Sequence, residues 1–150
     1  MKIYAFPSSN LTNIWAGIGA GRWAVSLSEH DQVNKRRTTL AADMPIGSFG
    51  ILYCSGRGLT TPFVIYSKPC VGEFVDNIWP ERWTLPFDMK PLGNPSKLMS
   101  RDDAMTKLPS IAERGLKNVD ALIYSKGTQT FVPSDISDED WSVLISELAI

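Results

Sequence analysis

The chain has 150 residues, 43% hydrophobic and 21% charged, with a formal net charge of −1. Those proportions fit an ordinary globular domain and exclude disorder along the whole length. No apolar run approaches the ~20 residues of a membrane helix, and a charge so near zero does not advertise a nucleic-acid surface.

Residues 2–6 read as a first strand. That apolar run is too short for a signal peptide, so a cytoplasmic protein is expected. Ser8 or Ser9 is placed to cap a helix starting near Asn10. Leu11, Ile14, Trp15 and Ile18 then share one apolar face. Gly17, Gly19 and Gly21 weaken that helix and end it. Trp23–Leu27 is a second strand. Residues 28–45 are polar and show no clear period, which reads as a long basic loop with at most a short helical turn. Ser48–Cys54 and Thr61–Ser67 are strands around a Ser-Gly-Arg-Gly turn, and Val71–Asp76 is strand-like. Leu85–Leu92 alternates, but its prolines demote it to an edge or a bulged strand.

From Ser100 the period becomes helical. Ser100-Arg101-Asp102-Asp103 resembles a capping box, Pro109 opens a second helical piece and Gly115 closes it. Val119–Tyr124 and Thr130–Pro133 read as strands of a hairpin turning at 125–128. Ser137 with Asp140 predicts another N-cap, and Trp141, Leu144, Ile145 and Leu148 form the stripe of a last helix. No repeat or linker interrupts the chain. The expectation is one α+β domain over residues 1–150, with five to seven short strands in a small twisted or partly open barrel flanked by helices.

Evidence for catalysis is thin. Gly17–Gly21 completes neither a phosphate loop nor a dinucleotide fingerprint, and there is no nucleophile elbow. His30 is the sole histidine and sits in a polar segment, while Asp102 and Asp103 fit the start of a helix. Cys54 and Cys70 read as buried free thiols. Neither a metal, a cofactor nor a catalytic residue is predicted.

Charge is unevenly spread. Residues 135–150 hold five acids and no base, leaving 15 bases against 11 acids over residues 1–134. A modest basic face would gather Lys35, Arg36 and Arg37 with Arg22, Arg57, Arg82 and Lys90. Of five tryptophans, Trp15 and Trp141 fall on apolar helix faces, where core packing explains them. Trp23, Trp79 and Trp83 fall at element boundaries, where side chains tend to line pockets. Aromatic walls hold a nucleobase by stacking or a methylammonium by cation–π attraction. From spacing alone, pocket walls and loop anchors are equally good readings.

The stretch D-N-I-W-P-E-R-W-T-L-P-F-D-M-K-P-L resembles the segment of EVE and YTH domains in which two tryptophans precede a strand. The upstream order agrees: strand (K-I-Y-A-F), capped helix (S-S-N-L-T-N-I-W), then a Trp opening the next strand (G-R-W-A-V-S). The likeness covers residues 2–92. The tryptophan pair is one residue closer than in the YTH pattern, and nothing after residue 93 matches. The resemblance implies a PUA-like barrel and a non-catalytic reader of a modified nucleobase, methylated or hydroxymethylated. Trp23, Trp79 and Trp83 would form the cage. Ala24, Val25 and Ser26 would supply backbone groups to the base edge, with Asn10 or Asn13 as a side-chain partner. Arg22, Lys35, Arg36, Arg37, Arg57 and Arg82 would hold the nucleic-acid backbone.

Modified DNA with the base flipped from the duplex is favoured over RNA. The chain would then be the specificity part of a modification-dependent restriction system, partnered by a nuclease or motor domain or subunit. An ASCH-like small hydrolase, an RNA-binding PUA-like protein and a methyl-lysine or peptide binder are the alternatives.

Overall fold

The computed structural model describes residues 1–124 and 130–150. Strands β1 (Ile3–Ser8), β2 (Arg22–Ser26), β3 (Phe49–Cys54), β4 (Gly58–Ile65), β5 (Phe74–Val75), β6 (Trp83–Pro91) and β7 (Leu98–Met99) form one mixed sheet. Its main order is β1-β3-β4-β6-β2, with β5 added to β6 and β7 to β4. Only β1 and β3 run parallel; the other pairs are antiparallel. The sheet curls into a half-barrel flanked by helices, the α+β class expected. Its open seam lies between the end strands β1 and β2, which α1 (Leu11–Ala20) connects.

Strand alternation divides the apolar side chains between two faces. Tyr4 and Phe6 of β1 and Leu52 and Cys54 of β3 point into the concave cluster with Phe63, Phe87 and Phe131. Ile3, Ala5, Ile51 and Tyr53 point the other way. There they meet α3 (Arg101–Lys107), α4 (Pro109–Glu113), α5 (Asp120–Ile123) and α6 (Asp138–Leu148). On α6, Leu144 and Leu148 are buried and Trp141 lies 5.0 Å from Phe49, as the stripe predicts. Ser137 and Asp140 close a full capping box, and the buried Asp140 carboxylate also accepts from Ser110 N at 2.9 Å. Ser100 caps α3 by accepting from Asp103 N.

Several expectations are corrected. Residues 31–42 form a three-turn helix, α2 (Asp31–Ala42). Ala41 is its only buried residue, so it has no apolar period to read. Asn10, not Ser8 or Ser9, caps α1, accepting from Asn13 N at 2.8 Å. Trp15 is 48% exposed instead of core. The strand read over 71–76 shrinks to Phe74–Val75, and Cys70 is exposed. Residues 120–123 are helical, so the first arm of the predicted hairpin is absent; its turn lies outside the described residues.

The proline-containing strand β6 is internal, lying between β4 and β2. It takes the bulged alternative. The β2–β6 register shifts between Trp23 and Val25, opposite Leu85 and Pro86, and Leu85 has φ of 56°. A proline donates no ladder hydrogen bond, so it is tolerated where the ladder is already broken.

Candidate functional site

Gly21, at φ 67°, ends α1 and turns the chain directly into β2. Trp23 therefore lies under the helix. A Cβ at Gly17 would stand 2.8 Å from Trp23 Cε3, so only glycine permits this approach. Trp23 and Trp83 sit on the paired strands β2 and β6, and Trp79 lies in the connection before β6.

The three rings meet. Trp79 and Trp83 stack at 4.0 Å between centroids and 9° between planes. Trp23 stands nearly perpendicular to both beside the stack, its centroid 5.5 Å from that of Trp79 and 5.2 Å from that of Trp83. All three are nearly fully buried, at 1%, 2% and 5% exposure for Trp23, Trp79 and Trp83. The Trp79 indole N–H donates to Asn13 O at 3.0 Å, tying the cluster to α1.

A cleft of about 280 Å³ opens beside this cluster, in the seam of the half-barrel. One wall is the end of β1 and the following loop, Phe6 to Ser9; the other is Trp23 to Ser26 of β2. Trp83, Glu81, Arg37, Ser55 and Thr130 complete the lining. Trp79 is not among the lining residues; it backs Trp83 from behind. Among the described residues β2 pairs with β6 alone, so its other edge carries no strand partner there. Along that edge Ser26 O accepts from Arg37, and the other backbone polar groups have no strand partner.

The predicted residues separate into groups. Trp23, Ala24, Val25, Ser26 and Trp83 do line one cleft, and Arg37 joins them from α2. Arg37 Nη1 donates to Ser26 O at 2.7 Å, and burial lowers its guanidinium below the ordinary arginine value, though an arginine keeps its charge. Asn10 is occupied by capping α1, and Asn13 is buried within it. Arg57 lines a separate cleft of about 310 Å³ with Asn10 and Thr12, which shares Ser9 and Ser55 with the first. Lys35 and Arg36 are exposed on α2.

Two of the predicted backbone-binding arginines are already engaged. Arg22 pairs with Glu73 at 3.1 Å and Asp88 at 3.6 Å, and its hydrogen bond holds the Glu73 carboxyl below the usual range. Arg82 pairs with Asp76 at 2.8 Å, which raises its guanidinium, and lies over the Phe74 ring. Sequence reasoning missed Glu81. Its signal was its place in the three-residue spacer between Trp79 and Trp83.

The chain folds as a half-barrel with a tryptophan cluster at its open seam, and the fold is similar to that of YTH domains. The YTH domain of the Zygosaccharomyces rouxii MRB1 protein, solved in complex with N6-methyladenosine RNA, is 18% identical at a TM-score of 0.57, with 99% of this chain and 88% of that chain covered. The Pho92 YTH domain, solved in complex with m6A, is 16% identical at a TM-score of 0.56, with 97% and 82% covered. The chain spans 58% of the length of a Toxoplasma CPSF4 YTH domain solved in apo form, at 18% identity and a TM-score of 0.44. No family model and no curated protein matches the sequence. The resemblance to YTH domains thus holds at the level of the fold. It also extends past residue 93, where the sequence alone offered no match.

Proposed function

We propose that this chain is a non-catalytic nucleic-acid-binding module that takes a methylated nucleobase into the cleft between β1 and β2. The observation that carries the reading is the cluster of three mutually packed tryptophans at that cleft, two of which, Trp23 and Trp83, line it. A single base suits the volume of about 280 Å³, just below the roughly 300–1,000 Å³ of ligand pockets. Stacking on an aromatic ring is worth about 1–3 kcal/mol per base, and a methyl group adds apolar surface against the indoles.

The stacked pair refines the cage expected from sequence. At 4.0 Å, Trp79 and Trp83 leave no slot for a base between them. The base enters on the cleft side of Trp83, and Trp79 acts as a second layer that stiffens the platform. The unpaired edge of β2 supplies groups to the base edge, and Arg37 faces the backbone.

N6-methyladenine in RNA is the first ligand to test, because structural neighbours were solved with it. Flipped modified DNA, with the EVE-type relation, the restriction context and a nuclease or motor partner, is the competing arm. The test is a tryptophan fluorescence titration. The probes are single-stranded RNA and double-stranded DNA, each plain or carrying N6-methyladenine, 5-methylcytosine or 5-hydroxymethylcytosine. Quenching by methylated RNA and not by its plain counterpart is expected, and is lost in Trp83→Leu. Equal response to methylated and plain strands would overturn the reading.

A further inference from the structure

The cleft lining also holds an exposed carboxylate, Glu81, that forms no ion pair among the described residues. Glu81 Oε1 accepts the Trp83 indole N–H at 3.2 Å. Among the described residues Glu81 forms no ion pair, and its Oε2 accepts no hydrogen bond. The adjacent Arg82 is turned away to Asp76, and Arg37 donates to the Ser26 carbonyl instead. An indole N–H lies in the plane of its ring, so Glu81 sits at the rim of the Trp83 platform. A base seated in the cleft beside Trp83 would bring its edge near the free oxygen.

We propose that Glu81 determines which bases the cleft accepts. It selects those presenting an amino-type N–H, such as N6-methyladenine or N4-methylcytosine, over those presenting carbonyl oxygens, such as thymine. An ionised carboxylate only accepts hydrogen bonds. It takes an N–H from adenine N6 or cytosine N4, and it repels the lone pairs of a carbonyl held at the same place. The proposal rests on the base-reader function above and adds the class of base.

The experiment uses the whole chain and compares Glu81→Gln with Glu81→Ala. Glutamine keeps an oxygen for the Trp83 N–H and adds a donor, so the ring stays placed while the acceptor-only character is lost. Affinities are measured for matched strands carrying N6-methyladenine, N4-methylcytosine, thymine or plain adenine. Wild type is expected to favour the amino bases over thymine by about tenfold or more, as a hydrogen bond to a charged group implies. In E81Q that preference falls toward parity, while N6-methyladenine still binds better than plain adenine. An amino-to-carbonyl ratio unchanged in E81Q overturns the proposal and leaves the base reader standing. Binding altered in E81A but not in E81Q also overturns it, because Glu81 then only positions Trp83. Failure of wild type to tell methylated from plain adenine sinks the base-reader function, and this proposal with it.

Discussion

The two faces of the curled sheet are built from the same strands and do different work. On the convex side, Ile3, Ile51, Tyr53 and Leu59 meet the aliphatic faces of four helices, and the α6 N-terminus is sealed by a buried acid whose carboxylate accepts from the Ser110 and Ser137 backbone N–H groups. On the concave side the layer is aromatic: Phe6 packs on Phe63, Phe87 and Phe131 at 5.4 to 6.1 Å, and the three tryptophans continue it toward the seam. The convex side has a helical cover. Along the seam, the concave side is faced by a cleft instead. The contrast is one of enclosure: four helices cover the back of the sheet, whereas α1 and α2 pack on its front and leave the seam lined by a cleft.

Damage to the convex side is expected to be the larger in stability and the smaller in function. Leu144 is fully buried there. Leu144→Ala should cost about 2–5 kcal/mol in denaturant unfolding, yet the folded variant should bind a methylated base as wild type does. A parallel loss of affinity would show that the two faces are coupled. Truncating a cluster tryptophan to alanine is the less informative experiment. Those rings are buried, so the change opens a cavity costing about 3–5 kcal/mol along with any loss of binding.

Gly17→Ala probes the concave side with a smaller insult. A Cβ there meets the Trp23 ring at 2.8 Å and Arg22 O at 2.9 Å. Overpacking costs about 1–3 kcal/mol, against which alanine returns about 1 kcal/mol of helix propensity. The net loss is modest, but it falls on a wall of the cleft. A shifted tryptophan emission and weakened base binding should therefore accompany a small change in unfolding midpoint. A normal affinity would mean that Trp23 moves without consequence for the ligand.

What could be read from the chain follows the strength of the local signal. The alternating strands, the stripe on α6 and the Ser137–Asp140 cap were legible because burial there imposes a period and a cap has a fixed spacing. α2 was not, because a helix exposed on nearly all sides imposes no period, and Lys35, Arg36 and Arg37 read like loop residues. Of the candidate site, what was legible is which residues gather at one cleft. Trp23, Ala24, Val25, Ser26, Trp83 and Arg37 are six of the residues around the cleft. The stacking of Trp79 behind Trp83 was not legible. Spacing fixes which residues are near one another, while the angle between two rings is set by what packs around them. Ion pairing was hidden for the same reason: Glu73 lies 51 residues from Arg22 in sequence and 3.1 Å from it in space.

That last point separates arginines that sequence treated alike, and it gives the finest test. Arg22 is held by Glu73 and Asp88 at the start of β2. Exposed pairs of this kind contribute about 0–1 kcal/mol, so Arg22→Ala should barely move the unfolding midpoint. A guanidinium already shared by two carboxylates releases no counterion when a strand docks, so the salt dependence of binding should also be unchanged. Arg37 has no carboxylate partner among the described residues and reaches the cleft beside Ser26. If it meets a phosphate there, Arg37→Ala should flatten the plot of log affinity against log salt concentration by roughly 0.7–0.9, the value of one lost contact. Equal slopes for both variants would place the nucleic-acid backbone elsewhere, with Lys35 and Arg36 on the exposed face of α2 the next residues to change.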